Sequence, residues 1–409
     1  MRVAAIERFP DPSRRCDPER VAGAGDEVMT VWDLARDPAR DPAAPVLKWS
    51  HLLRVVPQWL TLPLPLRARW ELLRRCARMN GWRRDAFERV PALARSLIEQ
   101  DIDEIACYST KGFEVAEWFA QRTGRPAREM LGRGTKYFGE FAFELLAVIP
   151  YAHWLHEHGR LEYTISTPDT RCLYYFSPDH TEVAIDRSYV PITEYPIGEI
   201  GERSFDRAGF PVALDTTQWS PPPYRDVFAN DGRFRWAKPP VVVCNKANDE
   251  ACSGAGSPPN SLDRDVLFAV ISRLRPRFTV IYNRPRAQDI VGDHDPIRER
   301  GDIEAVRHAF PDVVIIQDLH EQHPDLTFNE LQLRVFATSE HFVSVLGGSS
   351  YLASYFGGTN VVYAERGWEV ACGAYDGWFE QFSNARVVAA ATPGELLHAV
   401  AHELLADGA

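Results

Sequence analysis

The chain has 409 residues, 45% hydrophobic and 25% charged, which describes a folded protein long enough for two or three domains. A formal net charge of −11 argues against a nucleic-acid-binding surface, and no apolar run reaches the length of a membrane span. Seven cysteines (Cys16, Cys76, Cys107, Cys172, Cys244, Cys252, Cys372) are odd in number and never in CxxC spacing, which excludes a disulfide framework or zinc knuckle. With MRVAAIERFPDP at the start and no signal-peptide core in it, the expectation is a cytoplasmic protein.

In chain order, Val3 to Ile6 reads as a strand, and the proline-punctuated stretch from Asp33 to Pro45 as a loop. Leu66 to Met79 and Ala86 to Gln100 have the period of amphipathic helices. Ile105 to Tyr108 is a strand, followed by a helix from Gly112 to Thr123 that Gly124 stops. Arginines at 67, 69, 74, 75, 78, 83 and 84 concentrate positive charge in an acidic chain. The segment 67–84 is either a solvated helix face or a place where an anionic membrane surface or acidic acceptor docks.

After a glycine-containing loop ending at Gly139, Glu140, Phe143, Glu144 and Ala147 recur at helical spacing, and His158-Gly159 closes that helix. Leu161 to Ser166 alternates like a strand. Carboxylates on so apolar a helix are costly, so Glu140 and Glu144 are candidates for chemistry as well as for dipole pairing. Residues 211–240, rich in proline and aromatics, read as a linker that ends where Pro239-Pro240 launches a strand.

From 241 the pattern alternates. Strands at Val241–Cys244, Phe278–Tyr282 and Val313–Ile316 are separated by helices at Asp263–Leu274 and Ile303–Ala309, and a helix at Phe328–Ala337 follows. Phe342 to Leu346 then runs into Gly347-Gly348-Ser349-Ser350, a helix stopped by Gly357-Gly358, and a strand from Asn360 to Tyr363. Val387–Ala390 and Pro393–Leu405 complete a parallel, doubly wound sheet. Just past its strand ends stand Asn245, Lys246, Asn283, Arg284, Gln317, Asp318 and Gly347 to Ser350. That rim combines cations, amides, a carboxylate and a glycine-rich cradle suited to a phosphate.

Neither GxxxxGK[ST] nor GxGxxG is present, which argues against a P-loop NTPase or a nicotinamide dehydrogenase. The DxD matches at 101–103, 263–265 and 293–295 are of a kind frequent by chance. His153, His156 and His158, or His320 with His323, lack HExxH spacing and suit helix ends better than a metal. A serine hydrolase would use Ser349, Asp376 and His398, but Tyr351 lies where a nucleophile elbow needs glycine.

Taken together, Lys246, Tyr282-Asn283-Arg284-Pro285, Ile316-Gln317-Asp318, Leu346 to Ser350 and Tyr355-Phe356-Gly357-Gly358 resemble the donor half of a GT-B glycosyltransferase. The Phe138-Gly139-Glu140 turn is similar to the first acceptor-side loop of such enzymes. The resemblance spans roughly residues 131–400 and is nearest to bacterial transferases of cell-surface polysaccharides, fucosyltransferase-like ones included. Where those carry HxR, this chain reads Cys244-Asn245-Lys246, which leaves the sugar open.

The resemblance implies two Rossmann-like lobes with a cleft: an α/β extension over 1–130, an acceptor-side lobe over 131–235 and a donor-binding lobe over 236–409. It implies a nucleotide-sugar donor, a glycan or lipid-linked acceptor, no metal cofactor and no nucleic-acid partner. Lys246 and Arg284 would meet the leaving phosphates with Gly347, Gly348, Ser349 and Ser350. Asn283, Gln317 and Asp318 would line the nucleotide, and Glu365 would take the ribose. Glu140 would be the general base, with Glu144 or His180 as the alternatives. A nucleotide-sugar epimerase or a non-catalytic binding protein would use the same fold.

Overall fold

The computed structural model describes residues 2–7, 27–32, 60–62, 64–80, 104–107, 118–122, 124–125, 127–129, 133–187, 217–229, 231–246, 260–291, 297–371, 373–375 and 379–406. The chain forms two compact units, Met1–Lys136 and Tyr137–Ala409. The loop expected from Asp33 to Pro45 and the helix expected from Ala86 to Gln100 lie outside the described residues, as do the DxD matches at 101–103 and 293–295 and the whole of Asp376.

The first unit holds an all-parallel sheet of order β2-β1-β3-β4, formed by β1 (Arg2–Glu7), β2 (Glu27–Trp32), β3 (Glu104–Cys107) and β4 (Ala127–Glu129). The expected arginine-rich helix is α1 (Leu66–Asn80), which buries Ala68 and Leu72. Gly124 takes the left-handed φ of +69° at the end of its helix. A short strand, β5 (Gly134–Lys136), closes the unit.

The second unit begins with a continuous helix: α2 (Phe141–Phe143), a π-helical turn (Glu144–Val148) and α3 (Ile149–Glu157). In the π turn the Ile149 amide bonds to Glu144 O, one residue further back than in an α-helix. Side chains from elsewhere bond the carbonyls beside it: Tyr355 Oη donates to Leu145 O at 2.5 Å and Trp219 Nε1 to Leu146 O at 2.7 Å. Two short strands, β6 (Tyr163–Ser166) and β7 (His180–Glu182), pair in parallel, and α4 (Tyr224–Val227) lies in the proline-rich stretch.

The main sheet is six-stranded and all parallel, in the order β10-β9-β8-β11-β12-β13. Its strands are β8 (Pro240–Cys244), β9 (Thr279–Asn283), β10 (Val314–Ile315), β11 (His341–Val345), β12 (Thr359–Tyr363) and β13 (Arg386–Ala390). The connecting helices are α5 (Arg264–Leu274), α6 (Asp302–Ala309), α7 (Ile316–Gln322), α8 (Phe328–Ala337), α9 (Gly348–Ser354), α10 (Trp368–Ala371) and α11 (Pro393–Ala399). Counted from β8 in chain order the sheet runs 3-2-1-4-5-6, so it reverses direction between β8 and β11. The strands are buried on both faces: on one, Val241, Val243, Val280, Tyr282, Val343, Val345 and Val361 share a core with Leu267, Ile271, Val306, Leu396 and Val400, and on the other Val242, Ile281 and Phe342 are buried as well.

One boundary differs from the sequence reading. Val313 to Ile316 reads as a strand, but only Val314 and Ile315 pair with β9, and Ile316 already opens α7. A four-residue apolar run carries no period long enough to mark that change.

Candidate functional site

Parallel sheets of this order bind ligands outside the strand carboxyl ends, where the strand order reverses. Here that place lies between Cys244-Asn245-Lys246 after β8 and Leu346-Gly347-Gly348 after β11. Gly347 has φ +110°, a conformation closed to ordinary L-residues, and a methyl group at its α-carbon would meet Lys246 Nζ at 2.9 Å. The lysine ammonium is therefore laid directly against the turn that opens α9. The Ser350 amide bonds to Gly347 O at 3.0 Å, and the two amides before it, those of Gly348 and Ser349, open the helix with no acceptor inside it.

Lys246 is held there by its neighbour. Asn245 Oδ1 accepts from the Lys246 and Leu262 amides, both at 2.9 Å, while Asn245 Nδ2 donates to Leu262 O at 3.0 Å. Before them, burial pushes the Cys244 thiol up to about 12, against a hydrogen bond from Asn283 that favours the thiolate. At neutral pH that thiol stays protonated, an apolar support for the rim.

The serines of the turn face inward. Ser349 Oγ donates to Val345 O and Ser350 Oγ to Gly347 O, each at 2.9 Å. Ser349 thus uses its proton on a carbonyl and has no imidazole partner among the described residues. His398 stacks on His402 along the last helix, with ring centroids 6.2 Å apart.

Over the same turn comes α2. A methyl group at Gly348 would sit 3.0 Å from Phe141 Cδ1, so glycine is what admits that ring. Glu140, the residue before, is half-buried at the N-cap position, and its side chain makes no cap hydrogen bond. Glu140 thus directly precedes the residue whose ring lies on Gly348.

Glu144, one turn on, is fully buried and engaged at both oxygens, one by hydrogen bonds and one by an ion pair. Ser166 Oγ donates to its Oε1 at 2.5 Å and Tyr174 Oη at 2.8 Å, and Arg187 Nη1 pairs with Oε2 at 2.6 Å. The same Arg187 nitrogen donates to Gly139 O at 2.9 Å, and the guanidinium lies 5.1 Å from the Phe141 ring centre. Arg187, which nothing in the sequence pattern singles out, thus holds the turn that carries Glu140. His180 is also enclosed: its Nδ1 is 2.7 Å from Thr164 Oγ1, its Nε2 is 3.1 Å from Thr170 Oγ1, and its ring stacks on Tyr174.

The residues after β9 and β10 are knit into the fold. Arg284 is 1% exposed, pairs with Asp302 at 3.1 Å and donates to Pro285 O and Arg298 O. Asp302 also accepts from Tyr282 Oη at 2.5 Å, and burial together with that carboxylate drives the phenol well above its ordinary value. Gln317 Nε2 donates to Arg284 O at 2.8 Å and Asp289 Oδ2 at 2.9 Å. Asp318 pairs with Arg307 at 2.7 Å on the exposed side of α7. Glu365 stands exposed past β12, its amide bonded to Asn260 Oδ1 at 2.8 Å.

Behind the rim runs a directional amide chain. Asp169, at a left-handed φ of +60°, accepts the Asn329 amide on Oδ2 at 2.9 Å and Asn329 Nδ2 on its carbonyl at 2.6 Å. Asn329 Oδ1 therefore faces Gln332 Nε2 at 3.0 Å, and Gln332 Oε1 faces Asn283 Nδ2 at 2.9 Å. One backbone carbonyl sets the orientation of three amides and leaves Asn283 Oδ1 a buried acceptor with no hydrogen-bond partner among the described residues; Gln317 Oε1, outside that chain, is another.

No protein-family model matches the chain, and no curated protein matches it in sequence. Among solved structures, the chain aligns with E. coli ADP-heptose LPS heptosyltransferase II at 11% identity and a TM-score of 0.31, covering 74% of this chain and 89% of that one. It aligns with an E. coli heptosyltransferase bound to ADP at 11% identity and a TM-score of 0.31, over 98% of both chains. It also aligns with the UDP-GlcNAc 2-epimerase of Neisseria meningitidis at 10% identity and a TM-score of 0.28, over 99% of this chain and 92% of that one. Overlap of that extent assigns no activity; the chemistry has to come from the residues themselves.

Proposed function

We propose that this chain is a glycosyltransferase of the GT-B kind that moves a sugar from a nucleotide-sugar donor to a hydroxyl acceptor without a bound metal. The observation that carries the reading is the Lys246 ammonium set against Gly347 where the sheet reverses. A departing nucleoside phosphate needs its growing negative charge met by fixed cations and amides, and Lys246 with the opening of α9 supplies them. Arg284, spent on Asp302, holds the strand end instead of the phosphate. In this reading residues 236–409 bind the donor, and the segment from 131 to 235 receives a glycan or lipid-linked acceptor for surface-polysaccharide synthesis in the cytoplasm. Glu140, carried to the rim by Phe141, is the general base; Glu144 and His180 position the elements around it.

The test is a thermal-shift screen of the whole chain with ADP, GDP, UDP and CMP sugars, followed by turnover with the one that binds. A ligand at a hundred times its Kd stabilises by about 2.7 kcal/mol, an easily read shift. Stabilisation by none of these nucleotides would sink the reading. Binding with no transfer and no epimerised product would leave a nucleotide-sugar-binding protein.

A further inference from the structure

Among the described residues, the three most exposed large apolar side chains all fall between positions 60 and 70: Leu66 at 73%, Trp70 at 60% and Leu60 at 56%. Exposure of that size on neighbouring residues marks a contact surface more often than chance. At about 100° per residue, Leu66, Trp70, Arg74 and Arg67 occupy one arc of α1, opposite buried Ala68 and Leu72. Arg69 donates to Leu64 O at 2.7 Å and to Leu60 O, which ties the segment carrying Leu60 back onto the start of the helix. Over Leu66–Asn80 the sequence has five arginines and one glutamate, although the chain as a whole carries a net charge of −11.

The exposed arc is two apolar side chains wide and flanked by cations. A specific protein interface covers about 800 Å² on each partner, far more than such an arc offers. A lipid surface asks for less: an aromatic and an aliphatic group at headgroup depth, and arginines on the phosphates beside them. We propose that α1, with Leu60 beside it, docks on an anionic lipid bilayer, Trp70 and Leu66 entering the headgroup boundary while Arg67 and Arg74 pair with lipid phosphates. This inference stands apart from the proposed reaction, since it uses none of the rim residues.

The test is co-sedimentation of the full chain with phosphatidylcholine vesicles, with and without phosphatidylglycerol. Binding should need the anionic lipid and weaken as salt is raised. Each arginine near such a surface contributes roughly fivefold, so the pair Arg67→Gln and Arg74→Gln should lower partitioning about thirtyfold. Trp70→Ser with Leu66→Ser should abolish sedimentation while the thermal melt stays unchanged, as both side chains are exposed. Failure to bind anionic vesicles would overturn the proposal, as would binding that ignores both pairs of substitutions. A self-association that disappears in the Trp70→Ser chain, without lipid binding in the parent, would assign the face to a second copy instead.

Discussion

Lys246 Nζ and the α-carbon of Gly347 are in such close approach that a methyl group on the glycine would stand 2.9 Å from the ammonium. Two changes test whether this contact serves a nucleotide. Lys246→Ala should weaken nucleotide diphosphate binding by about 1.5–3 kcal/mol, the range of a charged hydrogen bond, read by calorimetry. Gly347→Ala should do similar damage by a different route, forcing a φ of +110° on alanine at a strain of about 1–3 kcal/mol and displacing the ammonium. Unchanged affinity in both would place the ligand elsewhere.

Glu140→Gln keeps the shape and hydrogen-bonding capacity of the side chain and removes its basicity. Donor binding should persist while transfer falls on the order of a hundredfold or more. A full rate in the variant would take the base away from Glu140.

Arg284→Ala separates a buried strut from a ligand contact. Losing one partner of a buried pair costs about 3–5 kcal/mol, so chemical denaturation should show a large loss, with the Asp302 carboxylate left behind. Weakened nucleotide binding at undiminished stability would return Arg284 to the phosphates. The same logic applies to Arg187→Ala, which strands Glu144 and frees the Gly139 turn; there a fall in kcat should accompany the loss of stability.

Burial holds the Asp169 carboxyl above its ordinary value, with hydrogen bonds from Thr327 and Asn329 offsetting part of that. The folded state therefore binds the proton more tightly than the unfolded chain. This group's contribution to stability is greatest below the ordinary aspartate value and is lost as pH rises through the raised one. Asp169→Asn removes that dependence and suits the left-handed φ. Relative to the parent, the variant should gain stability as pH rises through this window, which denaturation at several pH values would reveal.

Much of the main sheet is legible in the sequence because its strands are short β-branched runs bounded by glycine, proline or an N-cap, as at Pro239-Pro240 and Gly347-Gly348. The rim follows from those boundaries: once β8 and β11 are placed, Lys246 and Gly347 must lie at strand ends. Which way a side chain turns there is not written locally. Arg284 and Asn283 sit at a strand end like Lys246, yet Asp302 and Gln332 draw them inward, and those partners stand 18 and 49 residues further along the chain. Arg187 escapes notice for the same reason, since its partners Gly139 and Glu144 belong to another element. The apolar sequence around Glu144 reads as one helix, and nothing in its period announces the π turn.

That turn has a mechanical consequence. The carbonyls of Leu145 and Leu146 are met by one hydroxyl and one indole N–H, at 2.5 and 2.7 Å, from side chains far along the chain. Sliding the helix by a single residue past Tyr355 would break both bonds and bury two unmatched oxygens. The helix consequently behaves as a keyed part, with one seating on α9, and Phe141 inherits its height above Gly348 from that key. A change at Trp219 should therefore act at a distance, by shifting Phe141 over Gly348 and Glu140 along with it.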